Sequence, residues 1–250
     1  MSDEKNGGED RPRRVLVSMA HPDDIEFNCG ATIAKWADEG QEVFFVLGTS
    51  GDKGSDDPEY DSAKLMETRE AEQRAAADVL GVKDVMFLRF KDAELMPDLE
   101  LRKEVTRAIR HFKPDAVVCQ DPAARYFGNY IQHPDHVAMG EATLAAIYPS
   151  ARDRLTFPEL LAEGYEPHKV TEIYVRTGND RADHFVEITD YLDKKAASLR
   201  EHKSQLGDWD PLESVTRWAR DTAAVARHMN YPASSDMKHA ESFRYIAMSR

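Results

Sequence analysis

Apolar residues fall along the chain in short runs that alternate with longer stretches of helical spacing. Val15, Leu16, Val17 and Met19 form a run of strand length, bounded by charge before it and by Pro22 after it. A helical pattern follows from roughly Ala31 to Glu39, with Ile33, Trp36 and Ala37 on one face and a stop at Gly40. Glu42 to Leu47 reads as a second buried strand, and residues 48–54 as a flexible loop. The spacing then predicts an amphipathic helix from about Ser62 to Leu80 closed by Gly81, and a strand from Val85 to Phe90. A helix from Leu99 to Phe112 and a strand from Ala116 to Cys119 come next. Pro134, at a first-turn position, opens another helix behind His133. Beyond it the pattern is less regular. Residues 149–167 read as a meandering segment placed to cover a site. Glu172–Arg176 and His184–Ile188 read as strands, and Asp190–Gln205 and about Leu212–Met229 as helices. Strand-helix alternation over most of the chain predicts an α/β fold, a mainly parallel sheet with helices on both faces. Residues 1–12 are polar and charge-rich and are expected to be disordered, leaving residues 13–250 as a single domain.

Composition narrows the partners. The chain has 250 residues, 41% hydrophobic and 32% charged, which describes a globular protein. With 33 basic against 46 acidic residues the net charge is −13, and no Lys/Arg-rich segment stands out. Nucleic acid is not the expected partner, because phosphate binding needs clustered positive charge. No apolar run approaches the roughly 20 residues of a membrane span. The first residues lack an apolar core of signal-peptide length, so the expected location is cytoplasmic. Cys29 and Cys119 read as reduced packing residues.

The candidate chemistry sits at two tetrapeptides. The first strand runs into His21-Pro22-Asp23-Asp24, and His133-Pro134-Asp135-His136 echoes it behind the fourth. Pro22 pushes His21 into an extended conformation and fixes its direction. Alone, two acids before a helix are often no more than an N-cap; the echo favours a site. Carboxyl ends of parallel strands are where open α/β sheets hold ligands. A catalytic zinc needs three protein ligands and an open position for water. His21, Asp24 and His136 supply two imidazoles and a carboxylate from two strand ends. Asp23 is then left to take the water's proton, and His133 to face the developing oxyanion, as imidazolium or as neutral donor.

The motifs AHPDD at 20–24 and HPDH at 133–136 resemble the paired motifs of the N-acetylglucosaminyl-phosphatidylinositol de-N-acetylase family, also called PIG-L or LmbE-like. The resemblance covers about residues 14–205. It implies a Rossmann-like α/β domain that removes N-acetyl or related acyl groups from sugars using zinc, with ferrous iron as the alternative metal. It implies His21, Asp24 and His136 as metal ligands, Asp23 as general base and His133 as transition-state stabiliser. The choice of Asp24 over Asp23 for the metal rests partly on it. Arg69, in the segment from Thr68 to Glu72, looks like a family Arg that contacts substrate hydroxyls, and Asp92 stands where the family often bonds the sugar. Some members carry a Tyr two residues before the first His of the second motif. Here that position is Ile131, so Tyr130 or Tyr126 is left to take its part. His202 reads as helix packing. Relatives that are oligomers make a homo-oligomer an expectation by resemblance only.

Other classes compete. A sugar-thiol conjugate amidase would use the same groups. A two-His, one-carboxylate iron oxygenase shares the ligand types, but that chemistry usually lives on a jelly roll. A binding module without turnover would need neither Asp23 nor His133. A dinucleotide enzyme is disfavoured because no G-x-G-x-x-G follows any strand. The sequence does not identify the acyl group or the sugar, which segments 149–167 and 49–60 are expected to select.

Overall fold

A computed structural model describes residues 11–127 and 129–248; most of the expected N-terminal tail, residues 1–10, lies outside the described residues. Arg11 is docked, its guanidinium pairing with Asp115 at 2.6 Å. In chain order the elements are β1 (Arg14–Met19), α1 (Asp24–Asp38), β2 (Glu42–Thr49), α2 (Ser62–Leu80), β3 (Asp84–Phe90), α3 (Leu99–Phe112) and β4 (Ala116–Gln120). A small hairpin of β5 (Tyr126–Phe127) and β6 (Tyr130–Ile131) follows, then α4 (Pro134–Ala145), α5 (Pro158–Ala162), β7 (Glu172–Arg176) and β8 (His184–Glu187). The chain closes with α6 (Leu192–Leu199), α7 (Lys203–Leu206), α8 (Leu212–His228) and β9 (Ala240–Ala247).

Seven strands form one sheet in the order β3-β2-β1-β4-β7-β9-β8. β3 through β7 run parallel, and β9 is antiparallel to both β7 and β8. The sheet is thus Rossmann-like and mainly parallel, with helices on both faces. Alternation along β1 assigns the two cores. Val15, Val17 and Met19 face Ile33, Trp36 and Leu192 on one side. Leu16 faces Val105, Ile109 and Met139 on the other. On α3, Leu101, Val105, Ala108, Ile109 and Phe112 recur at helical spacing and are all buried. The strand order reverses between β1 and β4, so their carboxyl ends open a crevice for ligand. Gly140 lets α4 lie directly on β4: a Cβ there would come within 2.4 Å of the Gln120 carbonyl. Among the described residues no helix is long and apolar enough to cross a membrane.

The structure corrects several expectations. α1 begins at Asp24 rather than near Ala31. It is broken at Cys29 (φ −147°, ψ 16°), where the buried Glu241 carboxylate accepts from the N–H groups of Ala31 (3.3 Å) and Thr32 (2.8 Å). The expected start is therefore the second half of a kinked helix, capped from a distant strand. The single helix expected over 190–205 is divided into α6 and α7. β9 and the hairpin were not read as strands at all.

Residues 149–167 do not cover the site. They pack on α3, where the buried Arg110 guanidinium donates to the carbonyls of Ser150 (2.9 Å), Asp153 (2.8 Å) and Thr156 (3.1 Å). Arg110→Met removes a donor from all three. It is expected to cost roughly 2–4 kcal/mol in urea unfolding, given the price of unsatisfied buried groups. Activity per folded molecule should be unchanged; a drop in activity without a loss of stability would return the segment to the site.

Candidate active site

The ends of β1, β2, β3, β4 and β7 converge. Behind β1, the chain turns sharply because the Asp24 carboxylate folds back to accept from the His21 N–H at 2.8 Å. Gln120, at the end of β4, donates to the same carboxylate (3.1 Å) and accepts from the Ala20 N–H (3.0 Å), tying the two strand ends together. Asp23 adopts the left-handed conformation (φ 80°, ψ −24°), which costs a non-glycine residue about 1–3 kcal/mol. That twist separates the two neighbouring acids. Asp24 faces the imidazoles, and Asp23 faces Arg69, whose Nη2 lies 3.2 Å from its carboxylate.

At the N-terminus of α4, His133 is the cap: its Nδ1 accepts from the Asp135 N–H at 3.2 Å. His136, in the first turn, places Nε2 3.0 Å from Asp24 Oδ1 and 3.2 Å from His21 Nδ1; His21 Nδ1 is 3.4 Å from Asp24 Oδ2. Bonds of about 2.0–2.1 Å to a tetrahedral cation would space its ligands roughly 3.3 Å apart. Each pair of these side chains approaches at about that spacing, Asp24 offering one oxygen to each ring, and the set is the nitrogen-and-oxygen kind that a divalent cation takes.

The far side of the His21 ring meets two more acids. Nε2 lies 3.1 Å from Asp92 and 3.2 Å from Asp135. Asp135 is fully buried and also accepts from the N–H groups of Ala93 (2.7 Å) and Leu95 (3.2 Å), so it fastens the loop after β3 to the start of α4. Carboxylates on the outer nitrogen of a ligating imidazole fix its orientation and raise its basicity. Asp135→Asn keeps one oxygen for the loop but weakens that support. Metal affinity should fall about 10–100-fold, read by competition with a chromophoric chelator; unchanged affinity would exclude the role.

Electrostatics follow from this crowding. Burial lowers the His21 pKa, but Asp135, Asp24 and Asp92 outweigh it and raise the group to about 11; a cation at Nδ1 would take the place of that proton. Burial opposes ionisation of Asp24, yet His136 and His21 hold it well below the usual carboxylate range. Burial pushes Asp23 up to about 6 against the pull of Arg69. Burial, with the charge of His21, pushes His133 down, favouring its neutral ring. With Nδ1 engaged as acceptor, the neutral His133 carries its hydrogen on Nε2.

A cavity of about 580 Å³ opens over these groups. His21, Asp23, Asp24, His133 and His136 all line it, as do the expected substrate contacts Arg69, Asp92 and Tyr130. Two of those residues also have partners within the protein. Arg69 is 4% exposed, and its guanidinium donates to the carbonyls of Gly51 (3.1 Å) and Pro22 (2.8 Å) besides Asp23. Asp92 holds His21 from behind. Tyr130, on the hairpin, is 58% exposed at the rim. Of the loop 49–60, Gly54 lines the cavity; no residue of 149–167 does. Sequence reading missed Gln120, Arg176 and Thr177 in the walls, and the part played by Asp135. The last had a signal, an acid between the two histidines of HPDH.

Residues 16–147 match the family described as PIG-L, GlcNAc-PI de-N-acetylase. The diacetylchitobiose deacetylase of Thermococcus kodakarensis is 31% identical over 237 residues, covering 94% of this chain and 83% of that protein. The N,N'-diacetylchitobiose deacetylase of Pyrococcus horikoshii superposes with a TM-score of 0.79 at 29% identity, over 94% of this chain and 84% of that one. The 4-carboxy-2-hydroxymuconate hydratase GalB of Pseudomonas putida superposes at 0.77 with 22% identity, over 95% and 98%, a likeness of fold alone.

Proposed function

Because the chain belongs to the PIG-L family of GlcNAc-PI de-N-acetylases, we propose that it hydrolyses the N-acetyl amide of an N-acetylglucosamine-type sugar, releasing acetate and a primary amine. The observation that carries this reading is that the His21, Asp24 and His136 side chains approach pairwise within 3.4 Å, Asp24 through one oxygen to each ring, beside Asp23 and His133 in one cavity. His21 Nδ1, Asp24 and His136 Nε2 would hold a divalent cation, zinc in this reading. Once bound, the cation supplies Lewis acidity, bringing a water toward a pKa of about 7 and drawing electron density from the amide carbonyl.

The rest is work for this chain's side chains. Asp23 accepts the proton of the attacking water; burial makes its carboxylate more basic, and Arg69 fixes its direction. As the oxygen attacks the carbonyl carbon, charge gathers on the carbonyl oxygen, where the His133 Nε2–H donates. Asp23 then returns the proton to the nitrogen as the C–N bond breaks. Gln120 and Asp135 keep the donors aligned throughout. Incubating metal-loaded protein with N-acetylglucosamine, diacetylchitobiose and an N-acetylglucosaminyl glycoside, and assaying released amine, tests the reading. Amine should appear with at least one of them and should vanish after treatment with a chelator. No amine from any of the panel would overturn it.

A further inference from the structure

The left-handed turn at Asp23 needs support that neither motif supplies. Its N–H points away from the cavity into the protein, where Gln73 Oε1 accepts it at 3.0 Å. Gln73 is fully buried on α2, one turn beyond Arg69, so the same helix face holds both the backbone and the carboxylate of Asp23. The amide of Gln73 has one usable orientation. Its Nε2 donates to Glu26 Oε1 at 2.7 Å, and a flipped amide would set donor against donor at Asp23 and oxygen against oxygen at Glu26. Glu26 is itself fully buried, and its second oxygen lies 3.4 Å from Nε2 of the fully buried His202. His202 stands immediately before α7, which α2 anchors through Glu72: its carboxylate accepts from the Ser204 N–H (2.8 Å) and hydroxyl (2.7 Å).

We propose that Gln73 is a positioning residue for Asp23, and that Glu26 locks its amide in the one orientation that accepts the Asp23 N–H. The inference rests on the assignment of Asp23 as the proton acceptor. Gln73 and Glu26 together form a brace behind the base. The brace acts on direction: without it the strained turn relaxes, and the Asp23 carboxylate swings off the line to the water while the metal donors stay in place.

The test uses the full-length, metal-loaded protein. Gln73→Leu keeps the volume and removes both bonds. It should lower kcat roughly ten- to hundredfold, the scale of a misplaced catalytic group. KM and metal content should stay within about twofold of the parent. Introduced into Asp23→Ala, the same change should cost almost nothing more, because its effect passes through Asp23. A second variant guards against misfolding of the first. Gln73→Glu sets two carboxylates together and should be poor, whereas Gln73→Glu combined with Glu26→Gln restores the acceptor at Asp23 and a donor beside it, and should regain most of the lost kcat. An equal loss from Gln73→Leu in the parent and in Asp23→Ala would overturn the proposal, as would a paired variant no better than Gln73→Glu alone. If Asp23→Ala alone leaves kcat intact, the assignment of the base fails instead, and the two failures are read apart.

Discussion

Asp23→Ala is expected to keep about one equivalent of metal and its fold, yet to lose roughly a hundredfold to ten-thousandfold in kcat, the range for removing a general base. The twist at φ 80° turns Asp23 toward Arg69, whereas Asp24 faces the imidazoles. Removing the Asp23 carboxylate therefore leaves the three metal-donor side chains untouched. The fold should also tolerate the change, since the alanine backbone can still donate to Gln73. Metal analysis and steady-state kinetics on the same preparation decide the matter; a metal-free Asp23→Ala would exchange the roles of the two neighbouring acids.

Asp24→Ala should fail in the opposite manner, losing its metal first and its activity as a consequence. Asp24 is the carboxylate common to both imidazoles, and it also accepts from the His21 N–H and from Gln120 Nε2. Without it a cation keeps two neutral nitrogens and loses its charge compensation. The fall in affinity should exceed the roughly 10–100-fold seen when only an outer partner is removed. Excess zinc should return part of the activity to Asp24→Ala and none to Asp23→Ala. The loss reaches stability as well, because Gln120 and the turn at His21 both lean on that carboxylate. If Asp24→Ala binds metal as the parent does, the donor set is wrong.

Local signals made most of the scaffold legible. α2 and α3 span the residues their periodicity predicts, since Gly81 in the left-handed region (φ 81°) and the Asp98 side chain at the N-cap are marks a sequence carries openly. The two motif loops were readable for the same reason. What escaped depends on partners far away in the chain. Gln120 is an ordinary strand-end amide until it meets Asp24, and Gln73 an ordinary helix residue until Asp23 turns its N–H inward. β9 reads Ala-Glu-Ser-Phe-Arg-Tyr-Ile-Ala, with a glutamate buried among its first residues. No apolar run marks it, because that glutamate is satisfied by helix N–H groups and by Lys195 at 2.6 Å. The charge of Arg69 is plain in the sequence, whereas its bonds to Gly51, Pro22 and Asp23 depend on loops far from it in the chain.

The position of β9 bears on how this protein is made. Chains emerge from the ribosome N-terminus first, at roughly 5–20 residues per second. The end of β1 and the start of α4, which carry the two histidine motifs, are complete long before the strand that must pair with the edge of β7 exists. Until residues 240–247 arrive, β7 presents an unpaired edge, and Lys195 and the Ala31 and Thr32 N–H groups lack the Glu241 carboxylate. A nascent or truncated chain thus holds every group of the candidate site in sequence without a finished helix behind the first motif. A chain cut before residue 240 would expose the edge of β7, an unpaired strand of the kind that templates aggregation.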